Sequence, residues 1–559
     1  MVEFKMDYDY PVIESDILII GGGSAGAMAA LRAKELNPSL AVTVFEKGDL
    51  KYSGCIARGM DALNIVAVPG LSTPELYVEA SRMACEDILD EQPSFEMARR
   101  SWDLLKKLES WDVCFPVDEK GGYEVLQVHP KGKFCVTMKE PELKTILARR
   151  VYESGVKVYN RTMAVKLLTS EGRIAGAVGM NVRTGEVLAC RAKTVIMTAG
   201  GTARFGLPNN GYLYGVYDFP GNTGDGYCLA YRAGAELSGF EYTLIYYIVK
   251  DINAPLLYIT LTRGGKLFNA FGRDMSGEHP SIKSMLVEHC REGSGPLRIV
   301  LSHLPEKQIS AIEEILFTTE RPVQERFYQG RDVNFRTGEI ELWPTECFLC
   351  GGHGMTGVVV NEKAETTVPG LYAAGDTSLV ARGHLSGAFV FGEIAAESAA
   401  AYVESSAPAA FAPAEVDLFI NNRNERLSRG GNRVPIQEFE YKVRRIINDY
   451  IVPPKNQYRL DRALWWMDRF RAEMRDTVKI ASVNDLFKSY EVENIIQCAQ
   501  LSAVASKERR ESRWGMWHFR SDYPQKDPGW ERHIVLSRGV ADEDVKVALK
   551  DIRRMEGVR

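Results

Sequence analysis

Three glycines, Gly21, Gly23 and Gly26, stand between a short apolar run, Asp16-Ile17-Leu18-Ile19-Ile20, and the alanine-rich stretch AMAALRAKEL. The run is rich in β-branched residues and reads as a buried parallel strand; the alanine-rich stretch has high helix propensity. A second strand, Ala41-Val42-Thr43-Val44-Phe45, ends at Glu46, twenty residues past Gly26, with Lys47 next to it. Strand, glycine turn, helix, strand and acid form one βαβ unit carrying the full dinucleotide fingerprint. The glycines permit a tight turn and close approach of the backbone to a pyrophosphate. The helix start at Ser24 and Ala25 offers free N–H groups and the positive end of a dipole. Glu46 is placed to accept hydrogen bonds from a ribose. A lone glycine triplet would fit an ordinary tight turn, but here every flanking element sits where a dinucleotide site requires it.

The same style returns along the chain. Val156 to Val165 reads as a strand, Arg173 to Met180 alternates like a hairpin arm, and Thr194-Val195-Ile196-Met197-Thr198 is a buried strand stopped by Ala199-Gly200-Gly201. Between Phe240 and Trp343 helices and strands mix without a glycine fingerprint, after which Gly357 to Val360 and Leu371 to Asp376 resume the pattern. This order predicts a binding domain in two parts, 1–239 and 344–404, interrupted by a capping domain over 240–343. Ser405 to Pro413 is a small-residue and proline linker. Amphipathic helices at 438–474 and 492–510 then predict a helical C-terminal domain within 405–559, ending in a less regular tail from Arg513. The fold class is therefore α/β, a Rossmann-like domain interrupted by an α+β cap and followed by a helical domain.

Composition narrows the function. The 559 residues carry a net charge of −5 with no long basic run, which argues against nucleic acid as the main partner. No apolar stretch approaches the roughly 18 to 20 residues needed to span a bilayer. The acidic start, MVEFKMDYDYPVIESD, lacks a signal-peptide pattern. The ten cysteines are scattered and do not form a secreted disulfide framework. A soluble cytoplasmic protein is expected. Cys347-x-x-Cys350 supplies two thiolates where a zinc or iron–sulfur site needs four ligands, so it reads as structural and no metal site is expected.

Two strands that end in small residues, Thr194 to Gly201 and Gly370 to Asp376, favour FAD over NAD, because they let a long extended cofactor approach closely. Asp376 can bind a ribityl hydroxyl. With SGCIARGMDALN at 53–64, NTGDGYCLAYRAGAEL at 222–237 and RRESRWGMWHFRSDYP at 509–524, the chain resembles the flavoprotein subunits of fumarate reductase and succinate dehydrogenase, a superfamily that includes dissimilatory adenylylsulfate reductase α. The resemblance covers most of the chain and is nearest to the adenylylsulfate reductase branch. It implies FAD bound through Gly21, Gly23, Ser24, Ala25, Gly26, Glu46, Lys47, Ser53, Gly54, Ala199, Gly200, Gly201, Asp225, Gly375, Asp376, Ser386, Gly387 and Ala388. Fumarate reductases usually bond FAD covalently to a histidine, but Tyr52 to Ile56 contains none, so non-covalent FAD is implied. Asn64 matches an asparagine near the flavin ring of adenylylsulfate reductase, and the RRESRW run is also closer to that enzyme.

The substrate face departs from both branches. Leu261 to Lys266 replaces the TEGxRGEGG segment of fumarate reductases and carries Arg263 but no glutamate. Lys283 falls where the catalytic arginine would be; it lacks the planar fork, and either binds an anion or donates a proton, or is a surface lysine on an amphipathic helix. Thr243 and Ile248 fall near the arginines of adenylylsulfate reductase, and Tyr242, Tyr246 and Tyr247 suggest an aromatic pocket. His353, between glycines, lies one position from a superfamily active-site histidine. His384 resembles the Gly-His of adenylylsulfate reductase and precedes a helix starting near Ser386, whose amides would face the flavin and stabilise its reduced form. Candidate catalytic residues are thus Lys283, His353, His384, Asn64 and Arg263.

The resemblance implies an FAD-dependent oxidoreductase exchanging electrons with a small-molecule substrate and a separate ferredoxin-like iron–sulfur subunit in a hetero-oligomer. Two alternatives stand beside it: a superfamily enzyme acting on a less anionic substrate, and a catalytically silent FAD scaffold for electron transfer.

Overall fold

The structure, a computed structural model, describes residues 9–208, 216–252, 254, 256–277, 281–320, 323–428, 434–540 and 544–555. Its central sheet is built on the strand Val12–Ile20, which pairs in parallel with Val42–Glu46 on one side and Val187–Met197 on the other. Lys157–Asn160 extends one edge, and Leu371–Ala373 runs parallel to the end of Val187–Met197. The carboxyl-terminal halves of Val12–Ile20, Val42–Glu46 and Val187–Met197 are buried and largely apolar, with the helices Ser24–Leu36 and His384–Ser405 packed against them, as central parallel strands require. Their carboxyl ends therefore converge on one rim, where doubly wound sheets bind their ligands.

The stretch from Val156 to Val165, expected as one strand, is two. Arg161 adopts φ 57° and turns the chain between Lys157–Asn160 and Thr162–Ser170; the latter pairs antiparallel with Arg173–Asn181. Beyond the rim, Leu244–Val249, Glu339–Phe348, Leu297–Val300 and Lys266–Phe268 form a four-stranded antiparallel sheet in that spatial order. The long strand Glu339–Phe348 crosses position 343, where the change of character in the sequence had suggested a boundary.

Past the linker, the described residues form four α-helices: Pro413–Ser428, Ile436–Tyr450, Gln457–Asp476 and Val483–Glu508. The tail is more regular than the sequence suggested. Arg532–Arg538 and Val545–Asp551 form a β-hairpin that joins Leu237–Ser238 and Gly357–Val358 in a small sheet. The C-terminal segment is thereby stitched to the binding domain. No helix among the described residues is long and apolar enough to cross a membrane.

Candidate active site

A cavity of about 1300 Å³ opens at the rim of the central sheet and runs under the cap. Gly21, Gly23, Ser24, Ala25, Glu46, Ser53, Gly54, Ala199, Gly200, Gly375 and Asp376 all line it. Gly21 has φ 104°, and a Cβ there would lie 2.4 Å from the Thr198 carbonyl oxygen. At Gly26 a Cβ would come within 1.9 Å of the Gly21 carbonyl oxygen, so this glycine packs helix against turn and does not itself reach the cavity wall. A Cβ on Gly23 would meet nothing within 4 Å, leaving the backbone bare toward the cavity at the start of the helix Ser24–Leu36. Glu46 fixes the loop by accepting hydrogen bonds from the Gly22 and Gly48 N–H groups, 2.7 Å each. Behind it the buried Lys144 donates to the Gly22 carbonyl oxygen, and burial draws its ammonium down to about 8. A bare glycine backbone, a helix N-terminus and a long cavity fit the pyrophosphate and extended shape of FAD.

Several other expected cofactor residues are engaged elsewhere. Lys47 lies at the wall, but its Nζ is 2.6 Å from Asp225 and 3.1 Å from Glu491. That pair ties the second strand to the C-terminal helix Val483–Glu508. Gly201 packs against the Leu349 carbonyl oxygen, Ser386 accepts from the Ile65 N–H at 3.1 Å, and Gly387 abuts Met97; none of the three lines the cavity, whereas Ala388 does. Asp376 stands beside Asp218 and Cys55, their ligand atoms within 4.8 Å of one another. Burial, reinforced by Asp218, pushes the Asp376 carboxyl up to about 7.

At the other end the cavity becomes polar and aromatic. His353 and His384 stand edge to face with centroids 5.1 Å apart, His129 lies 6.2 Å from His384, and Tyr246 lies 5.5 Å from His353. Tyr217 stacks on Tyr246 at 4.8 Å. The His129 Nε2 donates to the Asn64 carbonyl oxygen at 3.1 Å, which fixes its tautomer because a carbonyl can only accept. Burial draws His129 down to about 4 and His384 well below the ordinary imidazole range; the neighbouring Arg382 lowers both further, as does His353 for His384. Both are neutral rings at neutral pH. The long helix begins at His384 itself, two residues earlier than expected, and runs to Ser405.

Arg382 was missed by the sequence reading, which passed over it to weigh His384. Its guanidinium lies among the Tyr77, Tyr242 and Tyr246 side chains; its Nε has no hydrogen-bond partner, and no carboxylate pairs with it among the described residues. Arg382 and His384 have φ 54° and 49°, a left-handed conformation that side chains adopt at a cost and that concentrates at functional sites. The signal available beforehand was an arginine at the mouth of a helix, ahead of a glycine. His129 carried no comparable signal; only the fold brings its loop here.

Two candidate catalytic residues fare differently. Lys283 reaches the cavity wall, but its Nζ is 2.5 Å from Glu86 and its side chain is 40% exposed. Arg263 is not brought to the wall: it donates to Glu124 at 3.0 Å and to the Ile259 carbonyl oxygen at 3.1 Å, because the turn after Leu257–Leu261 points it back along its own helix. Thr243 is buried with its hydroxyl on the Trp517 carbonyl oxygen, 2.8 Å away, and Ile248 is fully buried. From this strand only Tyr246 and Tyr247 line the cavity. Cys347 and Cys350 are buried, and Cys350 Sγ accepts from the His353 N–H at 3.4 Å, so this pair helps shape the histidine loop.

The RRESR block stands behind this end. Arg509 is 2.9 Å from Glu241 and 3.0 Å from Glu511, and Arg513 is 2.7 Å from Glu511, all four side chains being essentially inaccessible. The network holds Trp514 and Trp517 against Tyr242, with both centroid distances 5.2 Å.

Residues 16–390 match the FAD binding domain model, and residues 440–557 match that of the fumarate reductase flavoprotein C-terminus. The chain belongs to the fumarate reductase and succinate dehydrogenase flavoprotein superfamily. FAD is its cofactor, and it is an FAD-dependent oxidoreductase. Among superfamily members it is 25% identical to an uncharacterized FAD-dependent oxidoreductase of Methanocaldococcus jannaschii, across 94% of this chain and 96% of that one. It is equally 25% identical to one subunit of the CoM/CoB fumarate reductase of Methanothermobacter marburgensis, across 94% and 97%. The fold is similar to that of adenylylsulfate reductase from Archaeoglobus fulgidus, with a TM-score of 0.89 at 22% identity, covering 100% of this chain and 98% of that one.

Proposed function

We propose that this chain is the flavoprotein subunit of a cytoplasmic assembly built like adenylylsulfate reductase, exchanging electrons between a small molecule under the cap and a separate ferredoxin-like iron–sulfur subunit. The observation that carries the reading is the continuity of one cavity from the glycine cradle to the His353, His384 and Arg382 cluster. Bound FAD would supply the two-electron chemistry there. The bare backbone at Gly23 and the rim residues Glu46, Ser53 and Asp376 would hold it without a covalent bond. His384 and His353 would orient the substrate and hold its proton, and the cap would exclude water.

Electrons need a second centre to travel further. Among the described residues, the one group of three or more potential metal ligands is Cys55, Asp218 and Asp376, which belongs to the cofactor crevice. An iron–sulfur centre therefore falls to a partner, in keeping with relatives named as subunits. Lys283 and Arg263, already engaged by Glu86 and Glu124, have no part in this reading.

Anaerobic addition of AMP and sulfite together tests the substrate. Bleaching of the flavin would support adenylylsulfate chemistry. An unchanged flavin that dithionite still reduces would favour a second reading, a less anionic substrate. The observation behind that second reading is that Thr243 and Ile248 bring no charge to the cavity, while Tyr217 and Tyr246 line it with stacked rings. A protein inert to every substrate would be an electron-transfer scaffold.

A further inference from the structure

Cys228 and Cys498 stand 270 residues apart in the chain, yet their sulfurs meet at 3.7 Å. Cys228 belongs to the helix Asp225–Arg232, whose first residue, Asp225, lines the cavity; Cys498 belongs to the helix Val483–Glu508. Both cysteines are fully buried, and neither lines the cavity.

The contact is built from both sides. Gly224 has φ 82°, and a Cβ there would lie 2.4 Å from the Cys498 sulfur, so a glycine is needed to leave that sulfur its place. The Thr202 hydroxyl donates to Cys498 Sγ at 3.6 Å, and Cys228 Sγ donates to the Asn494 carbonyl oxygen at 3.4 Å. The Asn494 side chain donates in turn to Asp225 at 2.9 Å, and Asp225 holds Lys47. The two thiols therefore sit at the junction that ties the cofactor crevice to the C-terminal segment.

As thiols they add little to that junction, because S–H is a weak donor and sulfur a weak acceptor. A bond between them would add more. A disulfide joins its sulfurs at about 2.05 Å, and here the closure starts from direct contact. It would close a loop of 270 residues, and in the chain-entropy account the restraint on the unfolded chain grows with loop length. Burial, with the neighbouring Cys228, pushes the Cys498 thiol well above its ordinary value, so the pair reacts slowly. The same burial shields a finished bond from reducing thiols.

We propose that Cys228 and Cys498 are an oxidisable pair whose disulfide latches the helix at the cofactor crevice to the C-terminal segment. The oxidant is a hydroperoxide. One thiol attacks the peroxide O–O bond, which gives a sulfenic acid and releases water from hydrogen peroxide. The second thiol then displaces the hydroxyl, so that the S–S bond forms and a second water leaves. Two thiols and one hydrogen peroxide become one disulfide and two waters. The latch is independent of which substrate the cavity takes.

The test uses the full FAD-loaded chain, purified with reductant, freed of it anaerobically and treated with hydrogen peroxide. Alkylation, digestion without reduction and mass spectrometry should then find peptides joined through Cys228 and Cys498, two hydrogens lighter than the reduced pair. The treated protein should melt at a higher temperature and lose FAD more slowly in urea than the untreated one, and dithiothreitol added in denaturant should release the joined peptides. Cys498→Ser and, separately, Cys228→Ala should give neither the joined peptides nor any gain on treatment. Cys228 and Cys498 recovered as free thiols while the exposed Cys114 and Cys290 are oxidised would overturn the proposal, as would separate sulfinic acids at the two positions. A disulfide that forms without raising the melting temperature would equally overturn the latch. A chain that holds no FAD would bring down the flavoprotein reading, while the joined peptides and the melting temperature would still decide the latch.

Discussion

At the scale of single residues, the site is governed by what burial does to charge. Asp376 illustrates it: burial and the nearby Asp218 raise its carboxyl to about 7, against an ordinary value of 3.8. The folded apoprotein therefore binds a proton that the unfolded chain has already released between about pH 4 and 7, and its stability is lost as pH rises through that window. Asp376→Asn should remove this dependence. Melting temperatures of the two apoproteins should differ little near pH 4 and diverge progressively up to pH 8, with the variant the more stable; parallel curves would show that Asp376 is not strained in the fold. The glycine turn of the first βαβ unit, with the cavity-lining Gly21, Gly23 and Glu46, was legible in the sequence because local spacing alone fixes such a turn. Arg382 and His129 were not, since their meaning comes from neighbours far along the chain: Tyr242 and Tyr77 for one, Asn64 and His384 for the other.

At the scale of elements, two contacts hold the cap and the C-terminal segment in place. Glu511 sits between Arg509 and Arg513 with no exposed surface. Glu511→Ala would leave Arg513 without a carboxylate and Arg509 with Glu241 alone, and removing one partner of a buried pair costs about 3–5 kcal/mol. Urea denaturation should show a loss of that size, with Trp514 and Trp517 fluorescence changing first. A loss within 1 kcal/mol would mean that water or a rearranged acid replaces the glutamate. Lys283 clasps the helix Ile282–Leu286 to Glu86 in a partly exposed pair, and such pairs contribute about 1 kcal/mol or less. Lys283→Ala should therefore change turnover less than tenfold, whereas a fall of a thousandfold with FAD retained would restore it as a catalytic acid. The sequence position of Lys283 suggested chemistry; the fold supplies Glu86, 197 residues away in the chain, which no local pattern could announce. The hairpin of the tail was hidden for the same reason, because Arg532–Arg538 finds its sheet only beside Leu237–Ser238.

At the scale of the whole molecule, one cavity runs from the glycine turn at the sheet rim to the His353, His384 and Arg382 cluster under the cap. The alternation of strand-and-glycine segments with a region of different character made the interrupted architecture legible, because each part keeps its own hydrophobic period. What the cavity selects was not legible, since its walls come from strands and loops separated by hundreds of residues. The central claim is that this chain carries FAD at the cradle and trades its electrons with a separate iron–sulfur protein. The most direct test is an anaerobic absorbance experiment on the purified protein, reducing it with dithionite and then mixing it with an oxidised ferredoxin. The account predicts about one non-covalent FAD per chain, full bleaching, and recovery of the flavin bands as ferredoxin is reduced. A protein without flavin, or a reduced flavin that ferredoxin cannot reoxidise while oxygen can, would contradict it.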